Sequence, residues 1–329
     1  MTQPAFDVVG IGNALVDVIA HVDDAFLKTH DLVKGAMTLI DAGRADDLYA
    51  RMPPAVEVSG GSAGNTIAGV ASLGGRSAYI GKVCDDQLGR VYRHDIRAAG
   101  VTFDVAAAET GSTGRCLIAV TPDAQRTMQT YLGAGSDLGP EDVDPRLIAN
   151  ASVTYLEGYL WDPPRAKEAF LKAARIAHEA GRRVSLTLSD PFCVERHREE
   201  FLGLVQGHVD VLFANEVEIC SLYQTQTFDE ALQQVRGHCE IAALTRSEQG
   251  AVIVADGEVH VIDAEPVARV VDTTGAGDLY AAGFLYGLTH GLDIAACGRI
   301  GGIAAAEVIS HFGARPDASL ADLVRVRFG

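Results

Sequence analysis

Basic residues are scarce in this sequence, and acidic residues outnumber them. The chain has 27 lysines and arginines against 44 aspartates and glutamates, which gives a formal net charge of −17. Binding to nucleic acid requires a basic surface, and no cluster of lysine and arginine supplies one here. We therefore expect no nucleic-acid partner. A small anionic ligand is still compatible with this charge, because backbone amides and Mg²⁺ can hold it locally.

Long apolar runs and metal-binding cysteine or histidine patterns are also missing. The late stretch "IGGIAAAEVI" is too short to cross a membrane, and the opening "MTQPAFDVVGIGN" lacks the basic start and apolar run of a signal peptide. The six cysteines include no C-x-x-C pair, and the ten histidines include no H-E-x-x-H. We expect a cytoplasmic protein without membrane contact or zinc, whose cysteines stay reduced and buried.

Two common nucleotide-binding motifs are incomplete. "VVGIGNAL" begins like the dinucleotide fingerprint G-x-G-x-x-G, but Leu15 stands at the third glycine position. In the Gly-Lys pair Gly81–Lys82, Val83 follows where the Walker motif has Ser or Thr. The sequence therefore predicts neither a Rossmann site nor a Walker site.

What the sequence does contain is an alternation of strand-like and helix-like segments. Apolar runs such as "FDVVGIG", "SVTYLEGY", "VDVLFAN" and "AVIVADG" are separated by helical patterns such as "PRAKEAFLKAARIAHEAG" and "FDEALQQVRGHC". This alternation predicts an α/β domain with a mostly parallel sheet. Residues of about 13–41 and 101–134 break the rhythm and predict β-rich hairpins without intervening helices, with a turn at "TPDAQR". We predict that they form a small lid sheet on the large α/β domain that the remainder builds.

The segment "DTTGAGD", residues 272–278, stands directly before an apolar helix. Gly275 and Gly277 free the backbone to turn its amides toward an anion, and the helix dipole adds roughly half a positive charge there. An aspartate that only capped the helix would need no flanking glycines. Phosphorylation of a hydroxyl needs a group that accepts the alcohol proton and another that neutralises the moving phosphoryl charge. The segment therefore predicts a phosphate cradle with Asp278 as the base.

The segment "GGSAG", residues 60–64, admits two interpretations. It matches the hydrolase pattern G-x-S-x-G, which would make Ser62 a nucleophile with a downstream histidine such as His311. The preceding "RMPPAVEVSG" contains two prolines and does not predict the strong strand that such an elbow follows. We favour a glycine loop that lets a ligand approach the backbone, with the side chain of Asn65 facing the same place.

The segment "NEVE" runs from Asn215 to Glu218 and follows the apolar strand "VDVLFA". Asparagine and glutamate at this spacing commonly form a capping box at the start of a helix. The carboxyl ends of parallel strands are also where open α/β sheets bind ligands. From the residues alone, the two interpretations stay open.

Together these segments are similar to one family. "GGSAGNTIAGVASLGG" and "DTTGAGDLYAAGFLYG" resemble the two signatures of the ribokinase-like carbohydrate and nucleoside kinases, the phosphofructokinase-B type, and "NEVE" matches their N-x-x-E. The resemblance covers essentially the whole chain. It implies a single kinase unit over 1–329, with a ribokinase-like three-layer α/β/α domain, a mostly parallel central sheet and a small β-sheet lid. "GIGNALVDVIAHVDDAFL" and "LTLSDPFCVERHREEF" resemble the adenosine kinases of the family.

The resemblance implies a role for each matching position. Asp278 deprotonates the acceptor hydroxyl, which is the 5′-hydroxyl if the substrate is adenosine, and the amides of Gly275, Ala276 and Gly277 form the anion hole. The positions that match the acceptor site are Asn13, Asp17, Gly61, Ser62 and Asn65, and Met128 and Tyr159 pack on a purine. ATP is bound by Asn215, Thr245, Gly250 and Gly277, and Asn215 and Glu218 hold Mg²⁺ largely through water.

Some implied roles depend on particular chemistry. A carboxylate such as Asp17 can accept hydrogen bonds from both ribose hydroxyls at once. Arg126, in the lid segment, reaches the transferred phosphate, and Asp272 and Thr274 match positions at which ribokinases bind K⁺. Many family members have T-x-G after the ATP-binding strand, whereas here Arg246 follows Thr245 and the glycine comes later.

The sequence leaves several hypotheses to be compared. The first is a kinase that phosphorylates adenosine with ATP, and the alternatives within its class are a sugar kinase of the ribokinase or fructokinase type and a kinase for another nucleoside. A hydrolase acting through Ser62 and a ligand sensor without activity are the other classes. We expect small-molecule partners, and the oligomeric state stays open between monomer and homodimer.

Overall fold

The structure is a computed structural model that describes residues 4–123 and 125–328. Residues 1–3 and 329 of the predicted unit, and Ala124 in the predicted turn "TPDAQR", lie outside these ranges. Within them the chain forms thirteen strands and twelve α-helices. The strands are β1 (Phe6–Ile11), β2 (Leu15–His21), β3 (Met37–Leu39), β4 (Val56–Gly60), β5 (Ser77–Ile80), β6 (Gly114–Val120), β7 (Arg126–Tyr131), β8 (Ala151–Glu157), β9 (Arg183–Thr187), β10 (Val211–Asn215), β11 (Ile241–Thr245), β12 (Ala251–Ala255) and β13 (Glu258–Ile262).

The helices mostly begin at capping residues. Asp86 and Asp190, for example, accept hydrogen bonds from backbone amides in the first turn of the helices that follow them. None of the described helices is both long and apolar enough to cross a lipid bilayer. The helices are α1 (Asp24–Thr29), α2 (Ala42–Arg51), α3 (Ser62–Ser72), α4 (Gln87–Ala98), α5 (Pro145–Ala149), α6 (Pro164–Glu179), α7 (Pro191–Gly207), α8 (Glu216–Tyr223), α9 (Phe228–Val235), α10 (Ala276–Thr289), α11 (Ile294–Val308) and α12 (Leu320–Phe328).

Eight strands form the large sheet, in the order β13-β12-β11-β10-β9-β8-β1-β5. The six strands from β11 to β5 are parallel, and the other two continue the sheet with antiparallel pairings. Alternate side chains feed two cores, so that Val8 packs on one side of β1 while Val9 and Ile11 pack on the other. The predicted three-layer α/β/α domain with a mostly parallel sheet is confirmed.

The edge strand β13 was not predicted. It pairs antiparallel with β12 through a tight turn at Asp256 and Gly257, whose φ values of 50° and 77° suit a two-residue hairpin. Val261 on this strand is 70% exposed, so the strand lacks the continuous apolar run that marks the buried parallel strands.

The other five strands form the small sheet, in the order β3-β7-β6-β2-β4. One face, including Val18, Leu117 and Ala119, packs in the same core as Leu48 of α2. The predicted ranges of about 13–41 and 101–134 contain four of these strands, but β4 lies outside them. The prediction of a hairpin without an intervening helix holds for the second range, where β6 and β7 pair antiparallel. It is wrong for the first range, since α1 separates β2 from β3.

All six cysteines are free thiols, as expected for a reduced protein. Four of them are buried, whereas Cys220 and Cys239 are partly exposed, which corrects the expectation that all would be buried. Burial raises the pKa of Cys116 and of Cys193 to about 12, so these two thiols stay protonated and unreactive near neutral pH.

Candidate active site

A cavity of about 1530 Å³ is lined by residues of both sheets. Five parallel strands contribute a residue from their carboxyl end or just beyond it, namely Asn13, Glu157, Thr187, Asn215 and Thr245. This edge is where open α/β sheets bind ligands. The predicted site residues in its wall are Asn13, Asp17, Gly61, Ser62, Asn65, Met128, Tyr159, Asn215, Glu218, Thr245, Gly250, Thr274, Gly275, Ala276, Gly277 and Asp278.

Asp278 lies in the first turn of α10, in the cavity wall. Its two carboxylate oxygens each accept one hydrogen bond, from the hydroxyl of Ser62 at 2.6 Å and from Nδ2 of Asn65 at 3.0 Å. Burial raises the pKa of Asp278 above its usual value, although these two donors and the charge of Arg315 act in the opposite direction. A carboxylate held in this way is oriented and more basic than an exposed one, which suits a general base.

The hydrolase interpretation of Ser62 does not fit the surrounding contacts. A strand, β4, does precede the serine, contrary to the prediction. The Ser62 hydroxyl donates to Asp278, however, while the imidazole of His311 pairs with Glu307 through Nε2 and Oε2 at 3.2 Å. Ser62 therefore lacks the histidine contact that would activate it as a nucleophile.

Gly275 and Gly277 differ in why they are glycines. Gly275 has φ 78°, and a Cβ built there would lie 2.9 Å from Cα of Ala314, so both backbone conformation and packing require glycine. Gly277 has ordinary φ, and a Cβ built on it would meet no atom within 4 Å. Packing of the protein does not explain Gly277, whereas close approach of a ligand to the first amides of α10 does.

The acceptor end of the cavity is built around three side chains whose oxygen atoms can accept hydrogen bonds from a ligand. Oδ1 of Asn13 and Oδ1 of Asn65 are buried without a hydrogen-bond partner. Asp17 projects from β2 into the cavity wall, and burial raises its pKa to about 6 although Arg126 and Arg315 act to lower it. Such acceptors match a ligand that presents several hydroxyl groups.

Glu157 connects two parts of this end and was missed by the sequence analysis. Its carboxylate accepts hydrogen bonds from the backbone amide of Asn13 at 3.2 Å, from Nδ2 of Asn13 at 2.8 Å and from the amide of Ala63 at 2.8 Å. Gly61, which precedes α3, has φ 83°, and a Cβ there would overlap the carbonyl oxygen of Asn13. Burial raises the pKa of Glu157 to about 7.

We expect the raised pKa of Glu157 to make the ligand-free protein less stable as pH rises. The folded state holds the Glu157 proton up to about pH 7, whereas the unfolded chain releases it near the usual value of 4.5. Stability should therefore fall between these two pH values, by roughly 3 kcal/mol at most from this group. Thermal denaturation between pH 4.5 and 8 should show a shallower slope for Glu157→Gln than for the unaltered chain. Equal slopes would contradict the assignment.

The small sheet contributes an apolar wall opposite these polar groups. The wall is formed by Leu15, Met37, Leu39, Cys116, Ile118, Met128 and Leu132. Met37 and Leu39 are 43% and 50% exposed, so their side chains are open to a ligand in the cavity. Tyr159, from the large domain, lines the same cavity. The cavity thus joins an apolar wall to a polar end.

The structure shows the capping box that "NEVE" predicts, and it places the same two residues where a ligand could reach them. Asn215 and Glu218 form a capping box, in which the Asn215 side chain accepts from the Glu218 amide at 2.9 Å and the Glu218 carboxylate accepts from the Asn215 amide at 2.9 Å. Both residues also line the cavity. Burial, with the nearby charges of Asp190 and Asp278, raises the pKa of Glu218 to about 7.

The residues after β11 depart from the family pattern in a specific way. Thr245 and Gly250 line the cavity, and Gly250 has φ 79° at the turn into β12. The side chain of Arg246 instead pairs with Glu216 and stacks 4.2 Å from the ring centre of Phe228. Arg246 therefore lies outside the cavity wall.

Arg126 and Asp272 are the two predicted site residues that do not line the cavity. Arg126 Nη1 lies 2.8 Å from Oδ2 of Asp272, and both side chains are buried. Nη1 and Nε of Arg126 have no hydrogen-bond partner, so the contact is an ion pair without hydrogen-bond alignment. The Asp272 carboxylate also accepts from the amides of Thr274 and Gly313 at 3.0 Å.

Residues 29–320 match the sequence model of the pfkB family of carbohydrate kinases. The structure of adenosine kinase from Sinorhizobium meliloti has 55% sequence identity and a TM-score of 0.92, with 98% of this chain and 99% of that chain covered. A probable sugar kinase from Rhizobium etli is equally similar, with 54% identity, a TM-score of 0.93 and 99% of both chains covered. Adenosine kinase of Saccharomyces cerevisiae is 28% identical over 317 residues, which cover 89% of this chain and 91% of that protein.

Proposed function

Because the chain belongs to the pfkB family of carbohydrate kinases, we propose that it phosphorylates the 5′-hydroxyl of adenosine with ATP and yields AMP. Kinases of this family are phosphotransferases with an alcohol group as acceptor, and this chain is one of them. Its high similarity to a bacterial adenosine kinase supports the choice of acceptor. Such an activity would serve purine salvage in the cytoplasm.

The observation that carries the choice of a nucleoside is the pairing of an apolar wall with a polar end in one cavity. Met37, Leu39 and Met128 offer a surface suited to a purine ring. Asp17 and the unpartnered amide oxygens of Asn13 and Asn65 suit the hydroxyl groups of a ribose. A free sugar would use the polar end and leave the apolar wall uncovered.

In the proposed reaction, Asp278 receives the proton of the acceptor hydroxyl as that oxygen attacks phosphorus. Ser62 and Asn65 orient the carboxylate through its two hydrogen bonds. The amides of Gly275, Ala276 and Gly277 would stabilise the moving phosphoryl group, at the positive end of the α10 dipole. The Ala276 amide donates to the carbonyl oxygen of Thr273 at 3.3 Å in this structure, so it would have to exchange this partner for the phosphoryl group. ATP supplies the phosphoryl group when bound. We further propose that the small sheet is a lid that excludes water from the cavity during transfer.

The residues present fit Mg²⁺ at the nucleotide end. Carboxylate and amide oxygens are the ligands that this ion prefers, and Asn215 and Glu218 present them in the cavity wall. No group of three or more His, Cys, Asp or Glu side chains within the described ranges is placed to hold a metal. Asn215 and Glu218 would thus hold the ion largely through water.

The residues present do not fit K⁺ at the predicted position. The Asp272 carboxylate already pairs with the guanidinium of Arg126 and accepts two backbone amides. A monovalent cation would have to displace that guanidinium, and we derive no step from it. In this arrangement Arg126 pairs with Asp272 and does not line the cavity in which it was predicted to contact the transferred phosphate.

A sugar kinase is the second candidate, because the probable sugar kinase of Rhizobium etli is as similar as the adenosine kinase. The two are separated by measuring ADP release with adenosine, inosine, guanosine, ribose and fructose as acceptors. We expect kcat/KM for adenosine to exceed that for ribose by at least about 100-fold, since ribose forgoes the apolar contacts. Substituting Met128 by Asp should remove this preference. Turnover with free sugars alone would contradict the proposal.

A further inference from the structure

We propose that Arg315 is a positioning residue of the acceptor site, which holds the loop of residues 59–64 and balances the negative charge of Asp17 and Asp278. The inference rests on the proposed function, but it concerns a residue that the proposed reaction does not use. Arg315 follows α11, far along the chain from the loop that it contacts.

The guanidinium of Arg315 reaches both ends of the loop. Nε donates to the carbonyl oxygen of Ser59 at 3.1 Å, and Nη2 donates to the Ser59 hydroxyl at 3.0 Å. Nη1 donates to the carbonyl oxygen of Gly64 at 2.9 Å. Between these ends lies Ser62, whose hydroxyl donates to Asp278. The fork of Arg315 therefore fixes the backbone that carries a hydrogen-bond donor of the proposed base.

The charge of Arg315 is not cancelled by a direct ion pair. Within the described ranges no carboxylate oxygen lies within 4.0 Å of its side-chain nitrogens. Burial lowers the pKa of Arg315, and a buried unpaired cation is costly unless nearby charges compensate it. The groups that face it are Asp17 on β2, Tyr79 on β5, Tyr92 and Asp95 on α4, and Asp278 on α10.

Arg315 is correspondingly important to the two acids in the cavity wall. It lowers the pKa of Asp278, and together with Arg126, whose effect there is larger, it lowers the pKa of Asp17; it thus favours the ionised form of both acids. The other groups that face Asp278 are acidic or neutral, so none of them replaces this cation. They are Asp17, Ser62, Asn65, Tyr155, Glu157, Tyr159 and Glu218.

The neighbours of Arg315 connect the same segment to the anion hole. The amide of Gly313 donates to Asp272 at 3.0 Å, and Ala314 packs against Gly275. Residues 313–315 thus contact both the turn before α10 and the loop before α3. Arg315 is the member of this segment that contacts the acceptor side.

Arg315→Met and Arg315→Lys test the proposal. For Arg315→Met we expect kcat to fall at least about tenfold, and the acidic limb of kcat/KM against pH to move up by about one unit, because loss of the cation raises the pKa of Asp278. Arg315→Lys keeps the positive charge, so the acidic limb should lie at the same pH as in the unaltered chain. We expect kcat to stay low, since lysine cannot make the hydrogen bonds to Ser59 and Gly64 together. A normal kcat and an unmoved limb in Arg315→Met would overturn the proposal.

A second measurement does not depend on the reaction. Amide hydrogen exchange of residues 59–65, without substrate, should be faster in Arg315→Met than in the unaltered chain. Ser59→Ala removes only the hydroxyl that accepts from Nη2 of Arg315, and it should show a smaller change in the same direction. This variant serves as the test if Arg315→Met fails to fold. Arg325→Met, at an exposed arginine, is the control and should leave exchange unchanged. If the unaltered chain phosphorylates no alcohol, the proposed function fails, whereas unchanged exchange in both loop variants would overturn the role of Arg315.

Discussion

Replacing Asp278 by asparagine should lower kcat for phosphorylation of adenosine by about 10³- to 10⁴-fold, while adenosine binding is retained. Asparagine keeps the shape of the side chain and can still accept the hydrogen bond of Ser62. The Asn65 amide can rotate to offer its unpartnered Oδ1 to the new NH₂ group, so the fold should persist. What is lost is the group that takes up the proton. Steady-state kinetics and calorimetric titration with adenosine measure the two effects separately.

Asp322→Asn is the matched control for this variant. Asp322 lies in an exposed ion pair with Arg325 on α12 and does not line the cavity, so its replacement should leave kcat unchanged. Turnover of Asp278→Asn within tenfold of the unaltered chain would contradict the role of the carboxylate. Adenosine binding without any turnover in the unaltered chain would instead support the ligand sensor.

Replacing Gly277 by alanine should reduce kcat/KM by about 10²- to 10³-fold without loss of thermal stability. The new methyl group would meet no protein atom, and alanine is the better helix former, so the folded state should gain stability if anything changes. The methyl group would occupy the space in which a phosphoryl group approaches the first amides of α10. Kinetics combined with thermal denaturation distinguish this from a folding defect.

Gly203→Ala provides a closely matched comparison. Gly203 is also an exposed helical glycine with ordinary φ, and a Cβ there would also meet no atom within 4 Å. It should gain comparable stability and keep full activity. If Gly277→Ala behaves like Gly203→Ala in both measurements, the amides of this turn do not contact the transferred group.

The fold could be predicted from the sequence to the extent that its elements are marked locally. Strands that are covered on both faces read as continuous apolar runs, which is why the runs at β1, β8, β10 and β12 predict strands correctly. The edge strand β13 has exposed valines and polar neighbours, and α1 and α2 lie within a region dominated by strand-like residues. The neighbour of β13 in the sheet is close in sequence, but the polar residues of β13 hide the strand pattern. The helix α2 packs on β6 and β7, which are distant in sequence.

The same distinction holds for the site. Asp278, Gly277 and Asn65 belong to short motifs, and the residue types in these motifs indicate binding of an anion beside a base. Glu157 and Arg315 belong to no motif, and they act on residues 144 and 256 positions away, respectively. An isolated glutamate or arginine in a sequence is most often a solvated surface group. Their roles follow only from the topology that brings their segments to the cavity.

The contacts of residues 313–315 also determine when during synthesis the site can be completed. Most of the large sheet consists of strands that are near one another in sequence, so it can assemble while the chain is being made. The loop before α3 is synthesised early, but its hydrogen bonds with Arg315 can form only after that residue has left the ribosome, some 250 residues later. A nascent chain that stops before Gly313 lacks the hydrogen bonds that Gly313 donates to Asp272 and that Arg315 donates to Ser59 and Gly64. If Arg315 has the proposed role, the site becomes active only when almost the whole chain has been made.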